Sequence, residues 1–140
     1  MDVLYKKLML TAQEPYRATS GSAGYDLCAT SKEWDEDTQC WKYGTGLAFD
    51  IPAGCVGLVF PRSSVYRYGL TMANCVGVID SDYRGEVSAC FRGTKDSKTY
   101  AIGDRCCQLV VIKCPEIDWV ECDSLTPTKR GVKGYGSTGV

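Results

Sequence analysis

The sequence predicts an all-β fold, a sandwich or barrel of short strands, in a single domain. Short apolar or alternating runs are separated by turn residues at intervals of about 8–12 residues, as in β-sandwiches and barrels. No stretch of about ten residues shows the 3.6-residue apolar periodicity of an amphipathic helix. The length of 140 residues corresponds to one ordinary domain with a core of its own.

The strand signals follow one another along the chain. In "SAGYDLCA" (22–29) a glycine turn leads into a strand that starts near Asp26. A short helix is expected in "SSVYRYG", which Pro61 and the serines after it are suited to begin. Apolar or alternating runs bounded by turns predict four further strands, over 47–51, 56–60, 86–92 and 106–112.

The C-terminal segment differs in character from the rest. "KRGVKGYGSTGV" (129–140) has four glycines and three cations, too little apolar surface to order itself. We therefore expect residues 1–124 to form the β-domain and residues 125–140 to form a flexible C-terminal arm. The glycines of this arm let the backbone approach a ligand closely and expose its N–H groups.

Composition excludes several classes of function. The formal net charge of −1 gives no indication of nonspecific binding to nucleic acid or to acidic lipid. No apolar run approaches the ~18 residues of a membrane span, and "MDVLYKKLML" lacks the features of a signal peptide. An intracellular location, cytoplasmic or nuclear, is expected.

Nine cysteines and no histidine narrow the chemistry. The cysteine count is odd and no C-x-x-C occurs, which favours reduced thiols over a disulfide scaffold or a zinc site. Several cysteines, among them Cys55, Cys75, Cys90 and Cys107, lie in strand-like runs, where a thiol packs as a small hydrophobe. Without histidine, an enzyme with this sequence would use a carboxylate as its general base.

Two stretches combine polar groups suited to catalysis. "PRSS" (61–64) is either a turn whose serines cap a short helix or an anion site of guanidinium, hydroxyls and backbone N–H groups. "GVIDSDYRGEV" (77–87) is either a plain hairpin or a hairpin that presents a base. Asp80 follows Val78–Ile79, where desolvation would raise its basicity, and it is the best candidate base.

Other polar residues have weaker signals. In "GDRCCQL" (103–109), Asp104–Arg105 is read as a surface or structural ion pair. Gln108 either faces solvent from its strand or needs a partner for its amide. Asp26 is in the first instance a turn residue.

Five stretches in this order resemble the five motifs of the trimeric dUTP diphosphatases (dUTPases) and span residues 23–139. They are "AGYDL", "PRSS…GL", "GVIDSDYRGEV", "GDRCCQLVV" and "RGVKGYGSTG". The resemblance implies a homotrimer of jelly-roll-like β subunits, with shared active sites and a C-terminal arm that closes over a neighbour's nucleotide. It also implies that dUTP is hydrolysed to dUMP and pyrophosphate, which limits uracil in DNA and supplies dUMP for thymidylate synthesis.

Roles for individual residues follow from the same resemblance. Asp80 corresponds to the carboxylate that activates water for attack on the α-phosphorus, and Asp26 to a supporting residue. Tyr83 corresponds to the residue packed under deoxyribose. The residues that correspond to the uracil pocket are Asn74, Gly77, Val78 and Ile79. The phosphate contacts correspond to Arg62, Ser63, Ser64 and Gln108. The closing arm corresponds to Arg130, Tyr135, Gly136, Ser137 and Thr138.

The resemblance implies magnesium, held through the triphosphate and water and by no direct protein ligand. The arm departs from the family pattern in having Tyr135 where phenylalanine is usual. Two alternatives remain open: a dCTP deaminase-like enzyme of the same fold, and a dUTPase-fold protein that serves as an interaction module.

Overall fold

The computed structural model describes residues 1–134. Within this range the chain forms ten strands and one short helix, and no helix there is long and apolar enough to cross a membrane. The strands are β1 Leu4–Lys7, β2 Tyr25–Cys28, β3 Glu33–Asp35, β4 Cys40–Gly44, β5 Leu47–Asp50, β6 Cys55–Pro61, β7 Thr71–Met72, β8 Gly77–Ile79, β9 Ser88–Arg92 and β10 Arg105–Lys113. The helix, Ser63–Tyr68, is of the 3₁₀ type.

Two four-stranded antiparallel sheets and one two-stranded sheet make up the fold. The first sheet has the order β2-β10-β6-β8, the second has the order β3-β4-β9-β7, and β1 pairs with β5. Because sequence neighbours are distributed between sheets, most contacts join distant parts of the chain. This topology confirms the predicted all-β, jelly-roll-like class.

The core lies between the sheets and follows strand alternation. On the first sheet Leu27, Val59 and Cys107 point inward and are fully buried. An aromatic cluster from the second sheet and the loop before β10 fills the other side. Its members are Tyr43, Phe91 and Tyr100, whose rings meet edge to face or tilted with centroids 5.5–5.9 Å apart.

The predicted strands over 47–51, 56–60, 86–92 and 106–112 are confirmed as β5, β6, β9 and β10. The predicted short helix exists, in 3₁₀ form. The hairpin of β3 and β4 was not predicted. Its sequence, "EWDEDTQCWKYG", is rich in charged and turn residues. Across the two strands Trp34 packs against Trp41, with 5.2 Å between the ring centroids.

All nine cysteines are free thiols. Cys55 and Cys107 are buried as expected, but the expectation for Cys75 is wrong: it lies exposed in the turn before β8. Cys106 and Cys107 are consecutive and both are fully buried, because the β10–β2 register shifts by one residue between Arg105 and Cys107. The adjacent Cys106 thiol and burial raise the pKa of Cys107, so this thiol stays protonated.

Candidate active site

One sheet brings four of the five motifs together. Asp26 on β2 lies opposite Gln108 on β10, and Gln108 in turn lies opposite Phe60 on β6. The first residues after β6 are Arg62 and the serines, and β8, which precedes Asp80, pairs with the other edge of β6. Antiparallel register therefore places Asp26 and Gln108 beside the end of β6, where Arg62 follows. Asp80 follows Ile79, which lies opposite Gly57 near the start of β6, so it is away from this cluster.

The centre of the cluster is a carboxylate with two guanidinium groups. Asp26 Oδ1 accepts a hydrogen bond of 2.9 Å from Arg62 Nε, and Oδ2 accepts one of 3.2 Å from Arg105 Nη1. Arg62 Nη1 also donates to the backbone carbonyl of Arg105 at 3.2 Å. The Asp26 side chain is only 13% exposed, so this pairing is shielded from water.

Arg105 is a site residue that sequence reasoning missed. The expected Asp104–Arg105 ion pair is wrong: Asp104 Oδ2 accepts from the Ala101 N–H at 2.8 Å, and Arg105 pairs with Asp26. The Arg105 guanidinium also lies over the Tyr16 ring, 5.2 Å from its centroid. Arg105 is the first residue of β10 and stands three residues before Gln108 in the "GDRCCQLVV" motif, which was the signal available in the sequence.

The "PRSS" segment turns from strand to helix at Arg62. Arg62 is the N-cap residue, with an extended backbone and no side-chain cap hydrogen bond, so the interpretation of the serines as caps is wrong. Ser63 is exposed and Ser64 is half-buried. The helix ends at Gly69, which has φ of 63°, a conformation that favours glycine. Neither serine caps the helix, so the exposed Ser63 hydroxyl is left available to a ligand.

Gln108 has a partner and does not simply face solvent. Its Nε2 donates to the carbonyl of Pro61 at 2.9 Å, directly before Arg62. Its Oε1 lies so close to Gly24 that a Cβ at that position would collide with it. Gln108 thus braces the start of the "PRSS" segment, and its second amide hydrogen remains for another acceptor.

Residues 77–87 are not the expected hairpin, because β8 and β9 lie in different sheets. They form β8 and a connecting loop that presents Asp80 to solvent. Asp80 is exposed in the single chain, contrary to the desolvated environment expected for it. The Tyr83 N–H donates to the Asp80 carbonyl at 3.1 Å and closes the turn. The Tyr83 hydroxyl donates to the Glu86 carbonyl at 3.1 Å, and its ring lies against Gly85, where any Cβ would collide with it.

The Asn74 side chain is occupied by the backbone of β9. Its Oδ1 accepts from the Cys90 N–H at 2.9 Å, and its Nδ2 donates to the Ser88 carbonyl at 3.3 Å. Asn74 therefore ties the loop before β8 to β9, and, as in Gln108, a second amide hydrogen remains. Beside it, Gly77 and Ile79 are half-buried against β6, and Val78 is 61% exposed.

The arm is described only up to residue 134. Arg130 is exposed and donates to the carbonyls of Lys133 and Gly134, within a turn of its own segment. The predicted ligands Tyr135, Gly136, Ser137 and Thr138 lie outside the described residues. Within residues 1–134, no group of three or more Cys, Asp or Glu side chains is placed to hold a metal ion.

The described residues form a β-sheet protein in which two arginines surround one carboxylate at one end of a sheet, and an exposed carboxylate, Asp80, lies towards the other end. The sequence model of the dUTPase family matches residues 11–139. The deoxyuridine 5'-triphosphate nucleotidohydrolase of Corynebacterium glutamicum is 44% identical over 89% of this chain and 86% of its own. The chain therefore belongs to the dUTPase family, and it is an enzyme of the dUTP diphosphatase class.

Solved structures agree in fold. A mutant dUTPase of Staphylococcus bacteriophage 80alpha with dUpNHpp superposes with a TM-score of 0.80, at 23% identity, over 99% of both chains. The dUTPase of phage phi11 of S. aureus, whose structural Mg(II) ion has been described, gives 0.72 at 22% identity, over 89% of this chain and 98% of its own. These likenesses concern the fold alone.

We predict that Asp26→Asn destabilises the fold by about 2 kcal/mol, since it leaves the largely shielded Arg62 guanidinium and the partly exposed Arg105 guanidinium without their counter-charge. The measurement is urea unfolding at one fixed protein concentration. Glu36→Gln is the control, because it neutralises a carboxylate whose pair with Lys95 is about two-thirds exposed on both sides. Equal shifts in the two midpoints would contradict the structural importance of Asp26.

Proposed function

We propose that this enzyme hydrolyses dUTP to dUMP and pyrophosphate, with Asp80 activating the water that attacks the α-phosphorus. One observation supports the proposal: the sheet that carries the arginine cluster also carries the exposed Asp80 carboxylate, which directly follows β8. Strand register places Asp80 near the start of β6, whereas Arg62 follows the end of β6, so the base and the anion site of one chain lie apart and a neighbouring copy would bring them together. In the cell this reaction limits uracil incorporation into DNA and supplies dUMP for thymidylate synthesis.

Two carboxylates compete for the role of base, and their surroundings separate them. Both oxygens of Asp26 accept hydrogen bonds from guanidinium groups, so Asp26 is committed to holding them. The Asp80 carboxylate makes no side-chain hydrogen bond to the described part of the chain and is open to water. A general base needs a free oxygen within hydrogen-bond reach of its proton donor, which favours Asp80.

The phosphate contacts follow from unused donors. Arg62 uses Nε and Nη1 within the protein and keeps further N–H groups for an anion. Ser63, Ser64 and the second amide hydrogen of Gln108 lie on the same segment or next to it. We assign the triphosphate to these groups, where charge-assisted bonds are strongest.

Base and sugar recognition is assigned to β8 and the loops on either side of it. Because the Asn74 amide is bound to the β9 backbone, its assigned role is to hold the loop before β8 in place. Recognition of uracil is assigned to the backbone polar groups around Gly77, Val78 and Ile79. Cytosine is rejected because it cannot make the hydrogen bonds that uracil makes, which is the stronger form of discrimination. Thymine is rejected because there is no room for its 5-methyl group, which is the weaker form. The Tyr83 ring lies against Gly85, where the absence of a Cβ makes room for it. We assign this ring to pack under deoxyribose, where it leaves no room for a 2′-hydroxyl.

The donor set fits a magnesium ion that is bound through the substrate. Residues 1–134 contain no cluster of carboxylates for a protein-held metal, and Mg²⁺ commonly keeps its waters and binds substrate phosphates. When bound, the ion offsets phosphate charge. Positioning of the water remains the task of Asp80.

The outer face of the first sheet supports a homotrimer with shared sites. Strand register puts Asp26 and Gln108 on this face together with partly or largely exposed apolar side chains: Val56, Leu58, Phe60, Val78, Val110 and Ile112. Val78 and Ile112 are 61% and 44% exposed. An apolar face of this kind marks an interaction surface, and packing it against other copies would enclose the polar residues beside it.

The segment after β10 points the same way. Residues 115–134 are all exposed and form no strand, although they include large apolar side chains. Ile117, Trp119, Val120 and Leu125 are 58–90% exposed. We propose that this segment runs along a neighbouring subunit and delivers the arm from Arg130 onward to that neighbour's nucleotide.

The substrate assignment predicts pyrophosphate release from dUTP at a kcat/KM at least about 10²-fold above that for dTTP, dCTP or UTP. The assay measures pyrophosphate with each nucleotide in the presence of magnesium, and chromatography identifies the products. Ammonia release from dCTP would instead identify the deaminase alternative.

Asp80→Asn should lower kcat by about 10² or more, as the loss of a general base does. Affinity for a non-hydrolysable dUTP analogue should change little, because the amide is nearly isosteric and the phosphate contacts are intact. Turnover near that of the unaltered enzyme would show that Asp80 is not the base.

Truncation after Thr128 should leave folding and trimerisation intact and reduce kcat by about 10² or more, since it removes Arg130 and the closing arm. Light scattering should report three subunit masses for the full and the truncated chains. A full-length monomer with complete activity would contradict the shared site, and a truncated enzyme with unchanged kcat would contradict the role of the arm.

A further inference from the structure

Arg84 of the segment 77–87 makes a set of contacts that the mechanism has not used. Its Nη1 donates to two carbonyls of the turn, Ser81 at 2.7 Å and Tyr83 at 3.1 Å. Its Nη2 donates to Asp50 Oδ1 at 2.5 Å, across 34 residues of sequence. One planar guanidinium thus joins the turn that follows Asp80 to the last residue of β5.

From this geometry we propose that Asp50 is a positioning residue: through Arg84 it holds the 80–83 turn in the orientation that presents Asp80. The inference rests on the proposed role of Asp80 as the base. Among the described residues Asp50 makes no hydrogen bond to the turn backbone or to Asp80, so it acts through the guanidinium.

The turn has little else to hold it. Among residues 1–134, the Arg84–Asp50 bond is the only hydrogen bond that joins residues 80–85 to a residue outside the segment 77–87. The segment 77–87 is attached before the turn by the three-residue pairing of β8 with β6. After the turn it is attached by Glu86, whose Oε1 accepts a hydrogen bond from the Gly46 N–H at 2.6 Å. Without Arg84, six residues would be tethered only at their ends.

The anchor, in contrast, is well fixed. Asp50 lies between Phe49, 4% exposed, and Ile51, 1% exposed, so the backbone on either side of it is held by the core. It also pairs with Leu4 in the β1–β5 ladder. A rigid anchor and a lightly tethered turn are the conditions in which one side-chain bond sets the position of a catalytic group.

The consequence should appear in turnover and not in stability. The Arg84 and Asp50 side chains are 55% and 50% exposed, and exposed ion pairs contribute little to folding. Displacement of a base by about 1 Å, however, costs a reaction up to about 10²-fold. The phosphate contacts lie on other segments and the uracil contacts precede the turn. Tyr83 lies in the turn but keeps its own bond to the Glu86 carbonyl, so substrate binding should change less than turnover.

The test compares Asp50→Asn and Asp50→Ala with Glu36→Gln, which breaks the exposed Lys95 pair on the β3–β4 hairpin. We expect Asp50→Ala to lower kcat about 5- to 30-fold with KM for dUTP within about twofold and an unchanged unfolding midpoint. Asp50→Asn, which keeps an acceptor oxygen, should lose less, and Glu36→Gln should match the unaltered enzyme.

A double-mutant comparison separates positioning from a general structural effect. If Asp50 acts through Arg84, then Asp50→Ala should cause no further loss of kcat in an Arg84→Ala background. Additive losses, a rise in KM at constant kcat, or wild-type kcat for Asp50→Ala would each overturn the inference. Asp80→Asn is measured in parallel: if it keeps its turnover, the proposed base is wrong, whereas an inactive Asp80→Asn with a fully active Asp50→Ala defeats this inference alone.

Discussion

The Asp26 carboxylate is the interaction on which the rest of the site depends. Two guanidinium groups lie side by side here, Arg62 largely shielded and Arg105 42% exposed, and Asp26 supplies the anion between them with one oxygen for each. The pairing ties β2, the end of β6 and the start of β10 at one point. It works only in one register, because a one-residue slip of β2 would turn Asp26 into the core and Leu27 outward.

The single chain provides the parts of the site but not its enclosure. Asp80 is exposed, Val78 is largely exposed, and the segment after β10 lies entirely at the surface. Electrostatic stabilisation of a reaction is strong where water is excluded. A site as open as this one therefore needs additional protein surfaces that exclude solvent. The apolar outer face beside Asp26 and Gln108 explains why assembly of several copies would supply them, and why activity would then depend on assembly as much as on the fold.

The sequence predicted the strands that are apolar or regularly alternating, because their side chains report burial directly. It did not predict the β3–β4 hairpin, whose stability comes from cross-strand pairs such as Trp34 with Trp41 that no local pattern reveals. The same limit applies to the site. Asp26 and Arg62 could be recognised by motif, whereas the partners of Arg105 and Asn74 depend on which strands become neighbours and on a register shift inside β10.

Charge within the cluster indicates why the binding of a triphosphate must involve more than the sheet. Arg62 and Arg105 together carry two positive charges, and Asp26 cancels one of them, so the preformed site presents a net charge of about +1. A site with more unpaired cations would repel itself in the empty state and weaken the fold. A triphosphate carries several negative charges, and the difference has to be met by groups that arrive with it or after it. In the proposed role of the C-terminal segment, Arg130 and its neighbouring lysines, which are exposed in the single chain, would meet this need, since their charges are solvated until the nucleotide is present.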